Sequence, residues 1–293
     1  MTTQSPFLDR IGRFPAVAAA LAALAAASAQ ASDVPARDKS GYHLFNPTPT
    51  GFMRDLSTDR PDTTESAYTV DAGHLQLEMS FVDFRHDRNN GDSQTRRAFS
   101  VAPLLVKVGL LNNVDLQVGV NPYTREEASD ESGWVDGFGD TLVRVKFNLW
   151  GNDGGDTAFA IMPFVKFPTA ADDLGNGDTE GGLIAALGAA LPDEWSLGTM
   201  AQLDYNRSAA DDRYVNDIVH TVTASRRIVG DLAGYLEYAG FANLNGDEDY
   251  RGYFDAGLTL GVSKDVQWDA GIRVGLTEAA DDFGVFIGVS MRF

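Results

Sequence analysis

The sequence predicts an all-β chain, a transmembrane antiparallel up-and-down β-barrel of about twelve strands. Three observations predict it: period-2 alternation repeated from Gly73 onward, short links alternating with long polar ones, and aromatic residues gathered beside the links. In a strand, successive side chains point to opposite faces, so each parity of the alternation marks one face. The last segment shows this most clearly. Phe283, Val285, Ile287, Val289, Met291 and Phe293 share one face, and Gly284, Phe286, Gly288, Ser290 and Arg292 share the other.

Taken in order, the chain opens with a secretory signal. Arg10 and Arg13 form a positive start, Phe14 to Ala27 is an Ala/Leu-rich run of 14 residues, and Ala29-Gln30-Ala31 offers a small-x-small cleavage pattern before Ser32. The run is too short for a bilayer-spanning helix, which needs about 20 residues. Residues 1–31 are therefore expected to be removed as a signal peptide. Their net charge is +1, so the mature chain would go from -19 to -20. Residues 32–72 have no clear period and contain Pro35, Pro47, Pro49 and Pro61. They predict an extended segment, periplasmic or folded partly into the lumen, ahead of a barrel at 73–293.

The strands are expected at 73–86, 96–110, 113–124, 139–150, 156–167, 179–191, 194–206, 214–227, 230–242, 250–263, 266–276 and 283–293. Pro103 and Pro163 fall inside two of them and require a bulge or a non-donating position. Alternation alone would also fit a β-sandwich, in which the apolar face is a core. The links favour the barrel. Those near Leu111-Asn112, Pro192-Asp193, Val229-Gly230 and Lys264-Asp265 are short, as is 151–155, while 87–94, 125–136, 169–178, 208–213, 243–249 and 277–282 are long. Short periplasmic turns alternating with long external loops is the bacterial arrangement. Trp150, Trp195 and Trp268 lie beside short links, and Tyr123, Tyr205, Tyr214 and Tyr253 beside long ones, which suggests two interfacial girdles. A soluble secreted β protein would instead have to bring its apolar faces together.

Composition narrows the function. A formal charge of -19 argues against nucleic acid as a partner, and zero Cys removes disulfides, thiolate metal sites and cysteine nucleophiles. No cofactor and no metal are expected. The acidic loops (Glu126, Glu127, Asp130 and Glu131; Asp172, Asp173 and Asp178; Asp247, Glu248 and Asp249; Asp281 and Asp282) match no EF-hand spacing and read as solvated, although carboxylates could bridge Ca²⁺ to lipopolysaccharide. The four His carry no hydrolase pattern: Val222, not Ser, follows His220 by two residues. His86 beside Asp83 or Asp87 is the best protease candidate, and a solvated loop His is the preferred reading. No enzyme activity is expected.

The stretch Thr58-Asp59-Arg60-Pro61-Asp62-Thr63-Thr64-Glu65-Ser66, followed by Gly73-His74-Leu75-Gln76-Leu77-Glu78, resembles the opening of the outer-membrane transporter-like family named for a meta-pathway of phenol degradation. The resemblance implies an outer-membrane barrel of a Gram-negative bacterium linked to uptake of aromatic compounds. It also implies outer-membrane lipid and lipopolysaccharide around the barrel, a small-molecule solute, and presentation of the C-terminal strand ending at Phe293 to the barrel assembly machinery.

Parity assigns a mixed-charge lumen: Glu78, Lys107, Asp115, Arg144, Lys146, Lys166, Asp204, Asp217, Glu237, Asp255, Asp269, Arg273 and Arg292. Such residues either fill a narrow barrel with ion pairs or line a water-filled path. Asp59, Arg60 and Asp62 could dock the N-terminal segment against them, or form a charged turn made rigid by Pro61. Gly182, Ile184, Ala186, Gly188 and Ala190 give one strand a small-residue face, which favours space inside. Two functions stay open: a channel for small solutes, aromatic or otherwise hydrophobic molecules among them, and a sealed structural or surface-interaction barrel.

Overall fold

Alternating sequence builds strands, and the strands close on themselves. The computed structural model describes residues 38–88, 96–127, 133–172, 174–208, 213–246 and 248–293. The expected signal peptide, like Asp130, Glu131, Asp173 and Asp247 of the acidic loops, lies outside the described residues. In chain order the strands are β1 (Leu75–Asp87), β2 (Arg96–Val101), β3 (Leu104–Leu111), β4 (Val114–Val120), β5 (Tyr123–Glu127), β6 (Trp134–Gly137), β7 (Thr141–Trp150), β8 (Thr157–Phe167), β9 (Glu180–Ala190), β10 (Trp195–Arg207), β11 (Tyr214–Val229), β12 (Leu232–Asn243), β13 (Arg251–Ser263), β14 (Val266–Gly275) and β15 (Phe283–Arg292).

Each strand pairs antiparallel with its neighbour, and β15 returns to β1, closing the sheet. At the seam Phe293 donates to the Leu75 carbonyl at 2.8 Å and accepts from the Leu75 N–H at 3.2 Å. Closure joins the twelve-stranded wall into a ring, which a lipid environment requires because it offers the backbone no other partners; β6, at the outer end of the broken wall, is paired on its β5 side.

Fifteen strand segments make a wall of twelve strands, because three strands are broken midway. β2 and β3 both pair with β1, its outer and inner halves respectively, and are separated by Ala102 (φ 54°) and Pro103. β4 and β5 part at Asn121-Pro122, and β6 and β7 at 138–140. A proline has no N–H to give to a ladder, so the break recurs where Pro103 and Pro122 fall on adjacent strands. The expected loop 125–136 is corrected here: Tyr123–Glu127 and Trp134–Gly137 are paired strand. Pro163 stays within β8, and the β7–β8 ladder lapses beside it, between Arg144↔Phe164 and Phe147↔Ile161.

The burial pattern is inverted relative to a water-soluble protein. Leu236 and Leu258 on the outside are 53% and 49% exposed, while Lys107 and Lys146 inside are 2% and 0% exposed. Apolar faces point outward all round and do not meet, so the soluble alternative fails. Outward Leu and Val meet lipid, and charge is left to the lumen. Trp150 stacks on Phe159 and Trp268 on Phe81 near the short links, and Tyr205 stacks on Tyr214 near the long ones. Tyr253 is a correction to the expected girdle: it is buried inside, edge-on to Phe241. Its parity with lumen-facing Asp255 turns it inward.

Candidate functional site: the filled lumen

The N-terminal segment runs from the periplasmic mouth into the barrel. At the mouth, Arg54 and Lys39 both pair with Asp153, at 2.9 and 2.7 Å. Arg292 pairs with Asp265 at 2.7 Å and donates to the Arg54 carbonyl at 2.8 Å. Side-chain bonds from Arg292 and Lys264 hold the Asp265 carboxyl below the usual range against partial burial. Farther in, residues 57–66 form a loop tied at its base by the Ser57 and Ser66 hydroxyls, 2.6 Å apart, and by the Ser66 N–H donating to Asp59 at 2.9 Å. Ser, Thr and Asp supply such local bonds where no regular ladder exists. The Arg60–Pro61 peptide in this loop is cis.

Asp59 is the hub. Its carboxylate accepts from Lys107 at 2.5 Å, Lys146 at 2.8 Å and Arg144 at 3.1 Å, and its N–H donates to Glu78 at 3.0 Å. Burial opposes its ionisation, yet the three cations outweigh burial and hold the carboxyl well below the usual range. Glu78 also meets Lys107, and Glu65 meets Arg144 through both oxygens. Gln117, buried between them, accepts from Arg144 at 2.5 Å, and Asp115 accepts from the Val70 N–H at 2.9 Å. β1, β3, β4 and β7 thus clamp one flank of the segment.

The opposite flank is clamped by β12, β13 and β14. Arg60 grips Asp269 with Nη2 at 2.6 Å and Nε at 3.2 Å, and also bonds Ser80. Glu237 accepts from the Thr63 N–H at 2.7 Å, the Thr64 N–H at 2.8 Å and the Thr64 hydroxyl at 2.6 Å. Arg273 pairs with Asp255 at 2.6 Å and donates to the Thr63 hydroxyl at 2.8 Å. Gly288 is required here: an added Cβ would lie 2.4 Å from Arg60 Nη2 and 2.4 Å from the Met79 carbonyl. Asp62, the third residue expected at this contact, meets no cation among the described residues. Burial and the Glu237 charge push its carboxyl well above the usual range.

The remaining lumen candidates lie away from the segment. Lys166 meets Glu180 and, at 3.3 Å, Asp140. Asp204 accepts from Gln202 and Asp217 from Asn206 and Asn243, toward the long loops. The small-residue face of β9 is divided: Ile184 and Ala186 are buried in an apolar cluster with Met162, Met200 and Val219, against Phe164 and Phe241. Gly188 and Ala190 line a cavity. His86 faces outward, opposite Phe283, whereas Asp83 and Asp87 share the other parity, so the pair suggested by sequence is not formed. Among the described residues no group of His, Cys, Asp and Glu is gathered to hold a metal.

Sequence reading missed Glu65, Gln76, Ser80, Gln117, Thr64 and Gly288. Parity with Glu78, Asp115 and Arg292 marks Gln76, Ser80, Gln117 and Gly288 as lumen-facing. Glu65 and Thr64 lie in the segment itself, where no period assigns a face.

The docked loop divides the space inside. A chamber of about 530 Å³ lies on its extracellular side, and a smaller one of about 290 Å³ on its periplasmic side. Arg60 and Glu65 line both, so the segment is the partition between them. The outer chamber combines Leu105, Leu142 and Leu174 with Arg85, Glu126 and Lys166, and reaches the broken wall at Pro103, Asn121 and Gly139.

A closed twelve-stranded barrel with an apolar outer band and a charged, segment-filled interior defines an outer-membrane β-barrel of a Gram-negative bacterium. More particularly, a family model described as "Putative MetA-pathway of phenol degradation" matches residues 58–293, and the chain belongs to that family. Among solved structures, the fold is similar to the COG4313 outer membrane channel from Pseudomonas putida F1, at 11% identity and a TM-score of 0.54, covering 75% of this chain and 94% of that one. The NanC porin matches at 12% identity and a TM-score of 0.49, over 74% of this chain and 98% of that one. No individually curated protein matches the sequence.

Proposed function

We propose that the protein is an outer-membrane channel for small solutes, aromatic or otherwise hydrophobic molecules among them, held shut by its own N-terminal segment. The outer chamber carries this reading. Its leucines offer an apolar body contact and its Arg85, Glu126 and Lys166 a polar handle, the combination that suits a compact amphiphile such as a phenol. Its 530 Å³ falls within the range of sites that enclose small molecules, roughly 300–1,000 Å³. The family name and the channel fold of the Pseudomonas putida relative agree with transport.

The partition is polar and non-covalent, so it can leave its seat without breaking a strand. Displacement joins the two chambers, and released Asp, Glu, Lys and Arg side chains take up water. Acidic residues near the long loops, Asp172, Asp178, Asp281 and Asp282 among them, disfavour anionic solutes. The C-terminal strand, ending on outward-facing Phe293, is the part offered to the barrel assembly machinery.

One observation favours the second reading, a sealed structural barrel. The seat is closely satisfied, with Asp59 alone accepting three cations. Liposome swelling separates the two. A channel gives faster swelling with small phenolic compounds than empty liposomes do, and little with sugars of similar size; a sealed barrel gives neither.

A further inference from the structure

The outer surface carries a built groove that neither the lumen nor the partition uses. On the lipid side of β12, β13 and β14, the small residues Gly234, Ala256 and Ala270 leave a depression of about 950 Å³. Leu236, Leu258 and Ile272 form its walls. Pairing places these residues in adjacent rows: Gly234 faces Leu258, which faces Ala270, and Leu236 faces Ala256, which faces Ile272. Inserting larger side chains there meets no backbone ladder, so the depression is a matter of residue choice and not of closure.

The groove is charged at one end and with one sign. Arg226 and Arg227 line it and no carboxylate does, in a chain with 42 Asp and Glu against 23 Lys and Arg. Arg226 lies over the Trp195 ring at 5.5 Å, and Trp195 belongs to the periplasmic girdle. Arg226 is four residues before Gly230, where β11 turns at the same end of the barrel as Phe293. Among the described residues neither arginine takes part in an ion pair. An arginine at girdle depth with an apolar trough leading away from it toward the bilayer centre matches a headgroup phosphate with its acyl chain.

We propose that this groove is a binding site for one phospholipid of the periplasmic leaflet, its phosphate on outward-facing Arg226 with Arg227 beside it at the rim, and an acyl chain along Gly234, Ala256 and Ala270. A second copy of the chain fits less well. The outward band of the barrel presents leucine, valine and isoleucine, and the carboxylates nearest in depth, Asp193, Glu194 and Asp231, lie in the turns beyond it.

Native mass spectrometry of the intact refolded barrel in mild detergent, with phosphatidylglycerol added, tests the site. The wild type is expected to retain one phosphatidylglycerol, and Arg226→Gln with Arg227→Gln to lower its occupancy at least tenfold. Ala256→Leu with Ala270→Leu, apolar changes compatible with lipid, are expected to do the same by filling the trough. Unchanged heat-modifiable migration shows that the variants remain folded. Equal retention in all three proteins would overturn the proposal, as would a lipid-free dimer that the Leu variants abolish. If both variants fail to fold, protection of wild-type Arg226 and Arg227 from an arginine-selective reagent by phosphatidylglycerol decides the matter, and absence of protection counts against the site.

Discussion

Asp59 gathers more of the interior than any other single residue. Removing its charge leaves Lys107, Lys146 and Arg144 with one carboxylate fewer in a buried setting, a change that costs about 3–5 kcal/mol for a broken buried pair. Asp59→Asn is therefore expected to speed amide hydrogen exchange at Thr63 and Thr64 by a hundredfold or more, while the strands stay protected. Asp62 acts in the opposite sense. Its docked carboxyl is held above the ordinary aspartate value of 3.8, so its proton stabilises docking below that pH and this contribution is lost as pH rises through the docked value. Asp59, held low, contributes stability above pH 3.8 and loses it only as pH falls through its depressed value. Asp62→Asn is expected to protect Thr63 and Thr64 better than the wild type at neutral pH and to match it near pH 3. Equal protection at both pH values would remove Asp62 from this role.

Among the elements, the strands were legible and the segment's seat was only partly so. Period-2 alternation marks β15 and β14 residue by residue, because one face meets lipid and tolerates no charge. It marks β4 and β7 as well, but not the outer pieces β5 and β6, since Pro122 and Gly139 interrupt the wall where the outward band gives way to the loops. The segment has no period to read. Arg60 with its two Asp neighbours signalled docking, but Glu78, Asp269 and Glu237 as the receiving groups follow only from closure, which brings β1, β12 and β14 around one axis. Tyr253 shows the same limit: aromatic character suggested the girdle, and parity with Asp255 decided against it. The contact between segment and β15 rests on Gly288. Gly288→Ala is expected to push Arg60 off Asp269, so that proteinase K cuts residues 57–66 of the refolded barrel faster than in the wild type. Unchanged cutting rates would show that Arg60 is not what holds the loop.

For the whole molecule, inversion of burial is the governing fact: leucine outside, lysine inside, and a wall closed on itself by β15 and β1. The outer band fixes the protein in the membrane, which frees the interior to be polar, and the polar interior lets a soluble-like segment serve as a removable partition. Stability and closure are therefore separable. The barrel ladder holds the fold, and ion pairs hold the partition. The measurement that tests this most directly is liposome swelling by the full barrel and by a variant in which residues 58–65 are replaced with a Gly/Ser stretch of equal length, each with small phenolic compounds and with neutral sugars. The variant is expected to fold, to swell faster than the wild type with both solute classes, and to lose the wild type's preference for phenolics. Equal rates for the two proteins, with the variant shown to be folded, would contradict the claim that this segment closes a channel.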